Sequence, residues 1–237
     1  MLIIINGREM KSEEADQFIK ESKAHPKFRD FLGLLENEND INFDTLGVRN
    51  SYVYDAADSE TKELVVGKIV VLSSPDGKNN VHLSAFKREV EPYVYSFGFD
   101  QFTDGVLKQF DLVKEQTVKT VEYESNTLPD SLEEVPYNDK NFVPGESKTK
   151  AGIQAWYEFC APGGYKHCGA DCGDYGSRGG GTPINPLDTC CRAHDRCWKQ
   201  YGRNDCGCDG ILEDCARRYR TQYWVVANAI IAVFNDC

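Results

Sequence analysis

Along this chain apolar and polar positions first alternate in short runs, then thin out, and finally recur at helical spacing. Leu2 to Ile5 predicts a short strand, and Ser12 to Leu35 a helix broken at Pro26, because proline removes a backbone donor. β-like runs follow at Asn50 to Tyr54, Leu64 to Leu72, Val81 to Phe86, Pro92 to Phe99 and Phe110 to Tyr123. In Ser74-Pro75-Asp76-Gly77 the proline presets φ and the glycine accepts a positive φ, so the flanking runs are expected to pair as a hairpin. Residues 1–124 thus read as an α+β unit, a helix on an antiparallel sheet. From Ser125 to Lys150 large apolar residues become sparse, the texture of a linker. It ends in Ser147-Lys148-Thr149-Lys150, read as an exposed basic stretch open to a trypsin-like protease.

Helical periodicity dominates residues 151–237. In Leu187 to Cys197, Asn185 suits the N-cap, Pro186 the first helical position, and Asp188 the positive end of the helix dipole. At about 100° per residue Cys190, His194 and Cys197 share one face, with Cys191 and Asp195 on a neighbouring one. Cys208 to Cys215 repeats the seven-residue cysteine spacing, roughly 10 Å along an axis. If the two helices run antiparallel, Cys190 reaches Cys215 and Cys197 reaches Cys208, leaving Asp209 close to His194. A histidine oriented by a carboxylate is the layout of a general base. Tyr223 to Phe234 is almost wholly apolar and predicts a third core helix.

Composition sharpens the division. All ten cysteines lie between Cys160 and Cys237. Residues 1–150 carry 18 Lys and Arg against 28 Asp and Glu, and the rest 9 against 10, so nearly all of the net charge of −11 sits in the first part. That balance argues against a nucleic-acid partner, which needs a basic footprint. So many cysteines in a short segment mark a disulfide scaffold in an oxidising compartment, and the chain reads as secreted. Met1 to Asn6 lacks a basic region and is too short for a signal peptide, so either a leader precedes this numbering or export takes another route. No apolar run is long enough for a membrane span. His25 and His82 stand alone and read as surface or structural residues.

Between Asp171 and Pro183 the chain is rich in glycine, and three chemistries use such a loop. A phosphate-binding loop needs Lys where Gly181 stands, and a serine-hydrolase elbow needs Gly where Tyr175 stands, so both fail. A calcium loop remains, with backbone carbonyls facing one hard cation and Asp195 as the nearby carboxylate. Zinc is disfavoured, because Cys190 and Cys191 are adjacent and His167 and His194 are the only histidines near the cysteines. Trp156, Tyr157, Phe159 and Tyr165 read as core aromatics, with a lipid-facing rim as the alternative.

Cys172-Gly173-x-Tyr175, Asp188-x-Cys190-Cys191-x-x-His194-Asp195-x-Cys197 and Cys206-x-Cys208-Asp209 with Cys215 together resemble the secreted phospholipase A2 superfamily over about residues 150 to 237. The long glycine-rich stretch looks most like the plant-type branch. The resemblance implies that residues 151–237 are a small all-α catalytic domain with two crosslinked antiparallel helices, hydrolysing the sn-2 ester of glycerophospholipids at a membrane or micelle surface. It implies His194 as the base that activates water, Asp209 as its orienting partner, Ca²⁺ held by the Asp195 carboxylate and the carbonyls of Asp171, Gly173 and Tyr175, and the Gly173 N–H at the oxyanion. It implies pairing of Cys172 with Cys191, Cys190 with Cys215 and Cys197 with Cys208, and leaves a preference for Cys168 with Cys237. Two departures stand out. Tyr175 occupies a carbonyl position where many relatives have glycine, and Trp198 stands where many have a tyrosine bonded to the aspartate, with an indole N–H that can donate.

The acidic residues 1–124 carry no repeat, metal cluster or nucleophile-base pair; a prodomain making the chain a zymogen, an inhibitory domain, or a domain for an unknown protein partner are the alternatives. Two rivals to the enzyme are a disulfide-rich toxin or antimicrobial module that damages membranes without hydrolysis, and an inactive relative that binds lipid or protein with His194 purely structural.

Overall fold

A computed structural model of the chain describes residues 2–39, 41–58, 63–88, 92–113, 117–124, 135–148 and 160–234. Its first part is a seven-stranded antiparallel meander in chain order. The strands are β1 (Leu2–Glu9), β2 (Gly47–Asp58), β3 (Leu64–Ser73), β4 (Asn79–Arg88), β5 (Val94–Thr103), β6 (Val106–Val113) and β7 (Thr117–Glu124). Between β1 and β2 run α1 (Ser12–Ala24) and α2 (Pro26–Asn39), so the long predicted helix is two helices that meet at His25 before Pro26. The imidazole of His25 stacks on Tyr95 with ring centroids 4.5 Å apart. The antiparallel sheet with helices on it agrees with the α+β expectation for this region.

Several strands run longer than the sequence reading, β1 to Glu9 and β2 over Gly47–Asp58 among them, and two further differences change the pairing. The run Phe110 to Tyr123 is divided between β6 and β7, which pair with each other from Val106↔Glu124 to Val113↔Thr117. β5 continues past Phe99 to Thr103 and turns through Asp104-Gly105, both at positive φ, into β6. An Asp-Gly pair at positive φ matches the right-handed twist of a two-residue hairpin.

Each face of the sheet is covered. Phe18, Phe28 and Phe31 of α1 and α2 pack on Val70, Leu72, Val81, Leu83, Phe97 and Phe99. The alternate positions Ile69 and Val71 turn the other way, where Trp224, Val225 and Ala229 of α5 (Trp224–Phe234) lie on them with Tyr52, Tyr54 and Val65. That double burial explains why β3 reads as a nearly continuous apolar run, although antiparallel strands with one wet face alternate. α5, expected as a core helix, is shared. Its other residues, Val226, Ala227, Ile230 and Phe234, join a second core with Leu187 of α3 (Pro186–Tyr201) and Leu212 of α4 (Cys206–Arg218). The C-terminal part is therefore helical and disulfide-rich. Trp156, Tyr157 and Phe159 lie outside the described residues, and Tyr165 is buried in the helical core rather than on a lipid-facing rim.

Within the stretch 125–150, expected as a linker, residues 135–148 are held against β1 and β2. Tyr52 Oη donates to Tyr137 O at 3.0 Å, and Arg8 Nε donates to Phe142 O at 3.2 Å. The buried Asp55 carboxylate accepts from Gly145 N at 2.8 Å and Ser147 N at 3.2 Å. Ser147 is consequently buried rather than exposed, while Thr149 and Lys150 lie outside the described residues. Asp55→Ala removes the acceptor of two N–H groups beside the sheet, so urea unfolding should show a loss of about 3 kcal/mol. Trypsin should then cut faster after Lys140 and Lys148; an unchanged cutting rate would mean that Asp55 does not hold the strap.

Candidate functional site

The site begins with the cap of α3. Asn185 Oδ1 accepts from Asp188 N at 2.8 Å, and Pro186 opens the helix without a missing bond. The Asp188 carboxylate is fully buried and accepts from the backbone N–H groups of Lys166, His167, Cys168 and Ile184. This pins residues 166–168 to the first turn of α3 and sets Cys168 beside Cys191, to which it is bonded with a Cα separation of 5.0 Å.

Two implied pairings are thereby corrected. Cys191 bonds Cys168 and not Cys172; Cys172 bonds Cys160 instead. The preference for Cys168 with Cys237 falls with it. Cys168 and Cys172 are four residues apart, so spacing alone could not choose between them, and the Asp188 clamp does. The other two pairings are found as expected, Cys190 with Cys215 and Cys197 with Cys208. Cys206 is also disulfide-bonded, and no free cysteine occurs among the described residues.

Those two crosslinks bring His194 of α3 against Asp209 of α4. His194 Nε2 lies 2.8 Å from Asp209 Oδ1, and Trp198 Nε1 donates to the same oxygen at 2.9 Å. An ionised carboxylate only accepts, so Nε2 carries the proton and Nδ1 keeps the lone pair. The imidazole is wedged between the rings of Trp198, 4.2 Å away, and Phe234, 5.3 Å away. Burial lowers its pKa, and the hydrogen bond and charge of Asp209 oppose that shift. The ring is therefore neutral at pH 7, the state in which it can accept a proton.

Asp195 points the other way, into a hollow of about 270 Å³ lined by Gly169, Asp171, Tyr175, Trp198, Lys199 and Arg203 among others. Its Oδ2 is buried with no hydrogen-bond partner. Burial, with Asp174 and Asp188 adding negative charge, pushes its carboxyl up to about 7. Gly173 borders this oxygen at φ 109°, and a Cβ there would fall on Asp195 Oδ2 and close to His167 Nδ1. No other residue fits. His167, absent from the site expected from sequence, is fully buried; its Nε2 lies 3.0 Å from Gly181 O and its Nδ1 has no partner. Nothing in its immediate sequence signals this.

The remaining loop residues are held within the loop. Gly173 N donates to Arg178 O at 2.9 Å, Asp171 O accepts from Arg178 N at 3.2 Å, and Gly173 O accepts from Gly176 N at 3.2 Å. The side chain of Asp171 is bonded to Ser177, and Tyr175 is 58% exposed with Lys199 over its ring. Carbonyls have two lone pairs, so these bonds leave one on each for a further contact. Among the described residues no three His, Cys, Asp or Glu side chains gather as a metal cluster, so a cation here depends on backbone oxygens besides Asp195. An orphaned carboxylate oxygen facing a glycine-lined hollow suits a hard cation.

No family model and no solved structure matches the chain. Parts of it are similar to phospholipases A2 of Naja species. It is 53% identical over 38 residues to basic phospholipase A2 nigexine of Naja pallida, a match covering 16% of this chain and 32% of the relative. It is 50% identical over 38 residues to basic phospholipase A2 CM-III of Naja mossambica. It is 33% identical over 69 residues to acidic phospholipase A2 2 of Naja sagittifera, covering 29% of this chain and 40% of the relative. The chain thus spans between about a third and two fifths of the length of these relatives.

A carboxyl raised to about 7 when folded disfavours ionisation, so its contribution destabilises the cation-free protein as pH rises from the ordinary carboxylate range through 7. Asp195→Asn should therefore raise the melting temperature at pH 8 in chelator. An unchanged melting temperature at pH 8 would mean that ionising the Asp195 carboxyl costs the fold nothing.

Proposed function

We propose that the helical region is a calcium-dependent phospholipase A2 that cleaves the sn-2 ester of glycerophospholipids at a membrane or micelle surface. The reading rests on one arrangement: a neutral imidazole tied to a carboxylate across two crosslinked helices, beside an unpartnered acid over a glycine-lined hollow. The similarity of part of the chain to phospholipases A2 supports it.

His194 takes a proton from water at Nδ1, the nitrogen left free when Nε2 is given to Asp209. Asp209 holds the tautomer and stabilises the imidazolium that forms, and Trp198 fixes Asp209 in turn. The residues that would hold Ca²⁺ are Asp195 through its carboxylate and Asp171, Gly173 and Tyr175 through their carbonyls. When bound, the cation supplies Lewis-acid polarisation of the ester carbonyl and charge for the substrate phosphate. Service of the Gly173 N–H to the oxyanion requires its bond to Arg178 O to open. Lys199 and Arg203, which line the same hollow, add positive charge for a lipid phosphate. A secreted location fits the disulfides, and a zymogen fits an acidic sheet packed on the helical region.

Release of fatty acid from phosphatidylcholine vesicles should depend on calcium, stop with chelator, and fall by about 10² to 10⁴ in His194→Gln. Asp209→Asn should fall comparably and Trp198→Phe less. The acid limb of the rate profile should lie below the ordinary histidine value near 6.5, because burial lowers the His194 pKa and the base must be unprotonated. Vesicle leakage that survives both chelator and His194→Gln, without fatty acid, would instead identify a membrane-damaging module.

A further inference from the structure

We propose that the sheet face turned toward α4 and α5 is a receptor site for an arginine-bearing helix end, and that it retains the helical region without a peptide bond between them. The proposal does not depend on whether the helical region hydrolyses lipid.

The seat is built on β5 and β6. Gly98 stands opposite Asp111, and the space where a side chain would be is filled: a Cβ there would fall on the Arg220 guanidinium and on Asp111 Oδ1. Arg220 donates through Nη2 to Asp100 Oδ1 and through Nη1 to Asp111 Oδ1, and is only 1% exposed. Asp100 is fixed from behind by His82 Nε2 at 2.8 Å and Gln109 Nε2 at 2.9 Å. The same Gln109 amide donates to Arg217 O at 2.7 Å and so reads the backbone at the end of α4. Arg217 itself pairs with Asp111, and with Glu213 of its own helix.

The chemistry names the ligand. Asp100 and Asp111 are both buried in the sheet, and two buried carboxylates on neighbouring strands are unfavourable unless a cation lies between them. A planar guanidinium donates to both at once, whereas an ammonium is a single point charge. Beside the ionic seat, Trp224, Val225 and Ala229 rest on Tyr52, Ile69 and Val71. No cysteine precedes Cys160, so the backbone is the only covalent link between sheet and helices. Cleavage between them therefore leaves a two-piece assembly, and the sheet stays as a subunit instead of being shed.

The test inserts a site-specific protease sequence after Lys150 in the full chain and cuts it. The two pieces should co-elute in size-exclusion chromatography at micromolar concentration, and still in molar salt, since buried pairs are little screened. Gly98→Val, which fills the seat, should let the cut pieces separate while the uncut variant keeps its near-ultraviolet circular dichroism. Should that variant fail to fold, Arg220→Lys, which keeps the charge but loses the fork, should raise the dissociation constant of the cut pieces by about tenfold or more. Parting of the unsubstituted pieces on cleavage overturns the proposal, as does an unchanged dissociation constant in Arg220→Lys.

Discussion

Everything at the site depends on the register between α3 and α4. Two disulfides at equal spacing and reversed order tie the helices at Cys190–Cys215 and Cys197–Cys208, so neither helix can slide or roll against the other. His194 lies between the crosslinked positions of α3, and Asp209 directly follows one in α4. A slip of one residue moves a side chain by about 1.5 Å along the axis, enough to break a 2.8 Å hydrogen bond. A helical segment this short buries too little apolar surface to hold such tolerances by packing alone, and the covalent ties supply the rest.

The sheet adds a second support through α5. Its Trp224, Val225 and Ala229 face the sheet, while Ile230, Ile231 and Phe234 face α3 and α4, and Phe234 meets the imidazole edge-on. A helix apolar all round must be enclosed on every side, and neither the sheet nor the other helices encloses it alone. The acidity of the first part has a similar explanation in part. Asp100 and Asp111 look like surplus negative charge in the sequence, yet they are buried counterions for Arg217 and Arg220.

Much of this was legible in local pattern. The α3 boundary follows from Asn185 and Pro186, the helix break from Pro26, and the crosslinks at Cys190 and Cys197 from spacing that either helix carries within itself. What stayed illegible involves groups distant in the chain. In the sequence Asp188 is a charge at a helix terminus; in the fold it is a buried clamp for residues 166–168 that decides which cysteine Cys191 meets. Trp198 could be named as a donor, and only the fold shows it bonded to Asp209. The 125–150 stretch has the composition of a linker, and part of it is strapped down by Asp55 and Tyr52 through backbone groups, which composition does not encode.

The sequence by itself determined the start of α3, the helix break at Pro26, the turn at Ser74 to Gly77, and the acidic and cysteine-rich halves. Each of these is set by a few neighbouring residues, through backbone sterics, capping and periodicity. Only the tertiary structure decided that both faces of the sheet are covered, that Gly98 makes room for Arg220, and that Asp195 ends with an oxygen unpaired over a hollow. Those outcomes depend on which surfaces exclude water from each other, a property of the assembled chain that no local stretch carries.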